Sequence, residues 1–362
     1  MCPRNLPAQT TGVSTMQSPT KHLAAAAALV AAMAVPAYAQ GIMSIENHGD
    51  RGASRWESRQ ERLNARPLDW NATRGTPGRE TPEPRIRANP GQTSGGLPAP
   101  GSTRQAREAF PSEWQSEPDE SGGPINFGTK DVFTQYCENC GGLNLNWPQI
   151  AIGKLFSDGG TCSASVVSGQ NVIVTAAHCC YDRGKGDWIR GWSFAPAYRD
   201  GATPFGTFPW RSARILTRWR TVGDRKSDVC VIKLNNNASG QPVTYYTGWL
   251  GRSWDWGSVQ VHHALGYPGN IGGGNKKELC VSESFSPSNA CGGSAVLNTG
   301  CSMTYGSSGG PWIRHYRDGG NWVNSVVSGY DNETCTGTFG STFNGPRFTS
   351  SNIVPLCTAI GC

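Results

Sequence analysis

Val172-Ile173-Val174-Thr175-Ala176-Ala177-His178-Cys179 and, far downstream, Gly306-Ser307-Ser308-Gly309-Gly310-Pro311 are the two stretches from which the rest of the chain can be read. The first is a run of β-branched residues with the make-up of a buried strand, and it ends on a histidine. The second sets a serine in a glycine-rich turn. A serine hydroxyl is a weak nucleophile at neutral pH. It becomes a strong one when a neutral imidazole takes its proton and backbone N–H groups receive the oxyanion that forms on the substrate. Gly306 and Gly309 suit this chemistry, because glycine enters a sharp, left-handed turn without steric cost. Each stretch alone has an ordinary reading: a satisfied core histidine, or a Gly/Ser surface loop. Together, in this order and with an aspartate between them, they point to one constellation.

Asp228 is the aspartate that fits. It opens the apolar run Val229-Cys230-Val231-Ile232, and a carboxylate there can accept Nδ1–H from His178, fix its tautomer and stabilise the imidazolium. Asp224 is the rival, but among Arg220, Arg225 and Lys226 it reads as a solvated ion pair. His262, His263 and His315 read as structural.

Thr175–Cys179, Ser227–Leu234, Leu265-Gly266-Tyr267-Pro268-Gly269 and Cys301–Trp312 together resemble the trypsin/chymotrypsin-like serine peptidases, in particular the bacterial glutamyl-endopeptidase-like branch. The resemblance runs from about Trp147 to about Tyr330. It implies an all-β fold of two Greek-key antiparallel β-barrels, meeting between Asn235 and Tyr246, with the site in the cleft between them. It implies that His178 is the general base, Asp228 the orienting acid and Ser308 the nucleophile. The N–H groups of Gly306 and Ser308 would form the oxyanion hole. Ser302, Met303 and Thr304 would form one wall of the primary pocket. Val327, Ser328, Gly329 and Tyr330 would form the edge strand that pairs with an extended peptide. The expected activity is peptide-bond hydrolysis through an acyl-enzyme. A non-catalytic peptide-binding module and an esterase-like hydrolase are the alternatives.

Two departures from trypsin matter. No Ile-Val-Gly-Gly-like string precedes the domain, and Ser307 stands where trypsin-like enzymes carry an aspartate that binds a freed terminal amine. Activation would then take another route, such as removal of a steric pro-region. Ser302 lies where a basic preference needs an acid, and Val327 where a glutamyl preference needs a histidine, so an uncharged preference is expected.

The 13 cysteines fit an exported protein. Lys21 and His22 precede the apolar run Leu23–Val35, and Ala37-Tyr38-Ala39 is a small-x-small cleavage site, so residues 1–39 read as a signal peptide. Losing Cys2 with it leaves an even number, which reads as disulfides in an oxidising compartment. The resemblance implies Cys162–Cys179. Cys180–Cys230 would staple base to acid, Cys301–Cys335 would brace the pocket loops, and Cys280–Cys291 would close a local loop. Cys137, Cys140, Cys357 and Cys362 are expected to tie the chain ends together, with local pairs or a zinc knot as alternatives. No cofactor or metal is otherwise called for.

Residues 40–125 are rich in Arg, Pro, Gly and Glu and lack apolar periodicity, so a disordered pro-region or linker is expected. Residues 126–240 and 241–362 carry short β-branched runs parted by turn signals and are assigned to the N-terminal and C-terminal barrels. Seven of the 13 Trp fall between Trp188 and Trp256 and read as core and interbarrel packing, with an aromatic surface for sugar or peptide binding as the alternative. A net charge of +6 without a basic helix gives no sign of nucleic-acid binding, and no segment beyond the leader reads as a membrane span. The expected partner is a polypeptide substrate, met by a secreted monomer.

Overall fold

The computed structural model describes residues 41–49, 52–74, 89–99, 133–331 and 342–362. The expected leader lies outside them, and no described helix is long and apolar enough to cross a membrane.

The first barrel is a closed ring of six antiparallel strands: Phe208–Leu216, Cys230–Leu234, Val172–Thr175, Gly160–Ser168, Ile152–Ser157 and Ser193–Pro196, which returns to the first. Closure removes the free edges that an open sheet exposes. The turn signal Ser157-Asp158-Gly159-Gly160 does what its composition suggests: Ser157 pairs with Gly160 across a two-residue loop, and Gly160 has φ +132°. Val166, Ile173, Ile215, Ile232, Phe194, Trp192 and Trp210 fill the interior, all essentially solvent-free. Trp192 and Trp210 meet edge to face at 4.8 Å, the packing role expected for them.

The second barrel is built from two sheets. Gly251–Trp254, Trp322–Val326, Pro311–Arg314, Val261–Gly266 and Glu278–Glu283 form the larger, and Val296–Thr299, Thr342–Pro346 and Gly329–Asp331 the smaller. A bridge between Phe285 and Asn298 links them. Phe133–Cys137 falls in the sequence range assigned to the first barrel but pairs with Glu278–Glu283 in the second. The reason is an unfilled edge on that strand and a core that takes up Phe133. Conversely, the C-terminal helix Ile353–Ile360 packs back on the first barrel, against Phe208–Leu216 and Cys230–Leu234.

Part of 40–125 departs from the expectation of disorder. Ile42–Glu46 pairs in register with Phe208–Leu216, Ile42 opposite Leu216 and Glu46 opposite Ser212, on the edge that Ser193–Pro196 leaves open beyond Pro209. Gly91–Gln92 pairs with Gly251–Trp254. Trp56, Leu68 and Trp70 are buried. These stretches need no core of their own, because they borrow one. The rest of 40–125 lies outside the described residues.

Disulfides Cys162–Cys179 and Cys180–Cys230 form as expected. Cys280 bonds Cys301 instead of Cys291, so neither the Cys280–Cys291 nor the Cys301–Cys335 pairing stands. The cause is packing: Cys301 leaves strand Val296–Thr299 beside Glu278–Glu283, where Gly300 N–H also donates to Ser282 Oγ at 3.3 Å. Cys291 is disulfide-bonded, and Cys335 lies outside the described residues. Cys137–Cys140 and Cys357–Cys362 are local pairs. The ends are not tied together, because Cys137 belongs to the second barrel's sheet and Cys357 to a helix on the first. With all four sulfurs in disulfides, the zinc alternative falls.

Candidate active site

Strand register brings His178 and Asp228 together. Thr175 lies opposite Cys230 in an antiparallel pair, so the chain leaving after Thr175 and the chain arriving before Cys230 meet at one end of the barrel. His178 follows in the 3-10 turn Ala177–Cys179. Its backbone N–H donates to Asp228 Oδ1 at 2.9 Å, and its ring Nδ1 lies 2.8 Å from Oδ2. Both side chains are fully buried. A carboxylate on Nδ1 holds the proton there and leaves Nε2 as the acceptor. Ser328, expected on the substrate edge, donates its hydroxyl to Asp228 Oδ2 at 2.5 Å. No local pattern around Ser328 announces this contact, which spans 100 residues of sequence. Asp224 forms the expected ion pair, with Arg218, but is buried and not solvated, because it also caps the turn Arg225–Ser227 by accepting the Ser227 N–H.

Ser308 reaches the same place through one tether across the barrels and one within the second. Its carbonyl accepts Ser163 N–H at 2.7 Å from the first barrel, and the N–H of Gly309 donates to Val327 O at 2.8 Å within the second. Gly309, at φ +78°, is seated so closely that a Cβ there would stand 2.8 Å from Ala176 N, two residues before His178. Ser163 adjoins Cys162, whose disulfide runs to Cys179, the residue after His178. Ser308 Oγ and His178 Nε2 are both buried, and neither has a hydrogen-bond partner among the described residues.

The turn before Ser308 is held by neutral groups. Tyr305 O accepts Gly269 N–H at 2.6 Å. A trans peptide points its N–H opposite its C=O, so Gly306 N–H faces away from Gly269. Ser163 Oγ donates to Gly306 O and accepts from Tyr267 N–H, both at 2.9 Å. Ser307 bonds Thr304 O through its hydroxyl at 2.6 Å and its N–H at 3.1 Å. Neither Gly306 N–H nor Ser308 N–H donates to any described residue. Gly306 has φ +92°, a conformation that disfavours a side chain.

Solved structures share this arrangement of strands. Protease Anisep from Arthrobacter nicotinovorans matches at 27% identity and TM-score 0.51, over 60% of this chain and 98% of that one. A thermostable serine protease, AL20, from an extremophilic microorganism matches at 27% identity and TM-score 0.51, over 58% and 97%. The chain has the trypsin/chymotrypsin-like fold. No protein-family model matches it, nor does any curated protein.

In the second barrel of this trypsin/chymotrypsin-like fold, the expected pocket residues are held by bonds within the barrel. Ser302 donates its hydroxyl to Gln135 Oε1 at 2.6 Å and its N–H to the same atom at 3.2 Å. Gln135 Nε2 in turn donates to Glu278 Oε2 at 3.3 Å. Burial pushes Glu278 up to about 7, against the opposing pull of the Gln135 bond and Lys276. Gln135 had no sequence signal, being one polar residue in an alternating strand. Met303 is buried and its carbonyl accepts the Tyr330 hydroxyl. Thr304 exchanges bonds with Asn270. Val327 is buried, and Gly329 lies opposite Asn344 in the small sheet. His262 sits between Ser284 and Asn324, and burial drives it down to about 3. His263 stacks on Tyr316, and His315 bonds Asp318.

Proposed function

We propose that the chain is an exported serine endopeptidase, made as an inactive precursor and working as a monomer on polypeptides. The observation that carries this reading is the doubly bonded His178–Asp228 pair, with Ser308 tethered to Ser163, next to the cysteine whose disulfide runs to Cys179. Ser308 Oγ attacks the scissile carbonyl carbon as its proton passes to His178 Nε2. The oxyanion falls to the N–H groups of Gly306 and Ser308. His178 returns the proton to the leaving amine, giving an acyl-enzyme. Water, deprotonated by His178, then releases the acid and restores Ser308. Export is supported by the disulfides, which persist in oxidising compartments. The neutral Ser307 supports activation without a terminal-amine ion pair.

A fluorophosphonate should label the activated protein at Ser308, and Ser308→Ala should not react. Labelling that survives Ser308→Ala unchanged would overturn the triad. A chain that never labels favours the binding module, and turnover of esters without peptides favours the esterase.

A further inference from the structure

Arg66–Thr73 crosses the candidate site from one side to the other. Leu68 N–H donates to Thr161 O at 2.9 Å, and Thr161 N–H donates to Arg66 O at 2.8 Å, so Pro67 makes a parallel bridge with Thr161. Thr161 immediately precedes Cys162. Pro67 then covers the turn ahead of the nucleophile: a Cβ on Gly306 would stand 3.2 Å from Pro67 Cβ, and one on Gly269 2.6 Å from Pro67 Cγ. Next comes Trp70, only 4% exposed, its ring 4.7 Å from Tyr305 and 5.3 Å from Tyr330. Tyr305 directly precedes Gly306, and Tyr330 lies on the expected substrate edge. The helix Trp70–Arg74 packs on the turn Ala177–Cys179, and Thr73 O accepts Arg183 N–H at 2.9 Å. His178 and Ser308 are 0% exposed beneath this cover.

One peptide thus touches, in order, the strand end beside Cys162, the turn before the nucleophile, both tyrosines and the turn carrying the base. Any polypeptide that brings a carbonyl to Ser308 needs much of the same space. We infer that Arg66–Thr73 is a built-in occupant of the substrate cleft, held by Trp70 in an aromatic seat made by Tyr305 and Tyr330. This rests on the proposed peptidase reading and gives its precursor state a named part. Tethering strengthens the effect, since a segment in the same chain competes at an effective concentration of roughly millimolar. A buried tryptophan is also the side chain most suited to anchor such a contact. The class of ligand the cleft takes follows: an extended peptide presenting a large aromatic residue to the two tyrosines.

The test uses the full chain with three readouts: fluorophosphonate labelling rate, hydrogen exchange over 302–308 and 327–330, and exchange in the strands of both barrels as a folding control. Trp70→Ala should raise labelling by roughly tenfold or more and raise exchange at 302–308 and 327–330, with barrel strands unchanged. Trp70→Phe should stay near wild type. If Trp70→Ala loses barrel protection, Pro67→Gly serves as the second variant, with the same expected direction. Exchange at 302–308 and 327–330 unchanged in a folded variant overturns the inference, as does wild type labelling as fast as the variant. Opened segments with no labelling in any form would uphold the occupant and overturn the triad instead.

Discussion

The two barrels hold their shares of the site by different means. In the first, His178 and Asp228 project from the paired ends of adjacent strands, and two disulfides close around them. In the second, Ser308 rides on a turn fixed by hydrogen bonds from Ser163, which reaches across from the first barrel, and from Gly269 within the second. Covalent and sheet constraints fail together, when the barrel unfolds. Hydrogen bonds from single hydroxyls fail one at a time. Damage to the first barrel's share should therefore be abrupt, and damage to the second's graded.

The largest expected effect lies in the first barrel. Asp228→Asn replaces an acceptor of the His178 N–H and ring proton with an amide that has only one accepting oxygen. In triads of this type the change lowers kcat by about 10⁴. Steady-state hydrolysis of a peptide by activated protein measures it, and a drop below tenfold would mean that the second barrel alone sets the rate. Removing Cys180–Cys230 as a double serine variant comes next. Its separation of 50 residues implies about 4 kcal/mol of lost stability in the chain-entropy account. Urea unfolding measures this, and an unchanged midpoint would show that strand pairing alone holds base to acid.

These parts were legible in the sequence because they are local to one pair of strands. Val172–Val174 and Val229–Ile232 announce themselves by composition, and His178, Asp228, Cys180 and Cys230 sit at their ends. The glycines around Ser308 announce the turn, but not what anchors it: Ser163, Gln135 and Ser328 are single polar residues whose partners lie 143, 167 and 100 residues away. The Cys280–Cys301 pairing was lost for the same reason, since it depends on which strands become neighbours. Arg66–Thr73 was hidden by its own sparse apolar content. Its few anchors bury against a surface made by other parts of the chain.

Titration should separate the barrels in a third way. The first buries Lys154, pushed down to about 7 by burial; the second buries Glu278, pushed up to about 7 by the same cause, beside Lys277, pushed down to about 8, and His262, pushed down to about 3. For Glu278 the folded value lies above the unfolded one. Between about pH 4.5 and 7 the folded state therefore keeps a proton that the unfolded state has lost, so the Glu278 contribution to stability falls as pH rises, while His262, whose folded value lies below its unfolded one, contributes a rise between about pH 3 and 6.5. The full cost is at most about 3 kcal/mol above that range. For Lys154 the unfolded state holds the extra proton between about pH 7 and 10.5, so stability rises there. Glu278→Gln should remove the falling contribution, so that the His262 rise on the acidic limb steepens, and should leave the alkaline limb alone. Unfolding midpoints across pH decide it, and an acidic limb of unchanged slope in Glu278→Gln would clear Glu278 of the effect.

The smallest effect tests the second barrel's graded character. Ser163 holds the turn twice, by its N–H on Ser308 O and its hydroxyl on Gly306 O, and Ser163→Ala removes the second, together with the acceptor of the Tyr267 N–H, but keeps the first. The Gly306 carbonyl then loses a fixed partner and its peptide can rotate, although the strand and the disulfide at Cys162 remain. Donor alignment toward the oxyanion matters in the transition state more than in the bound substrate. The loss should therefore fall on kcat, by roughly 10- to 100-fold, with KM little changed. A thionoester supplies the discriminating control, because sulfur is a weaker acceptor than oxygen and draws less from the same donors. Ser163→Ala should slow an ester more than its thionoester. Asp228→Asn, acting on the proton and not on the oxyanion, should slow both alike. Equal losses on both substrates in Ser163→Ala would place its effect on the base as well, and the division of labour between the barrels would fail.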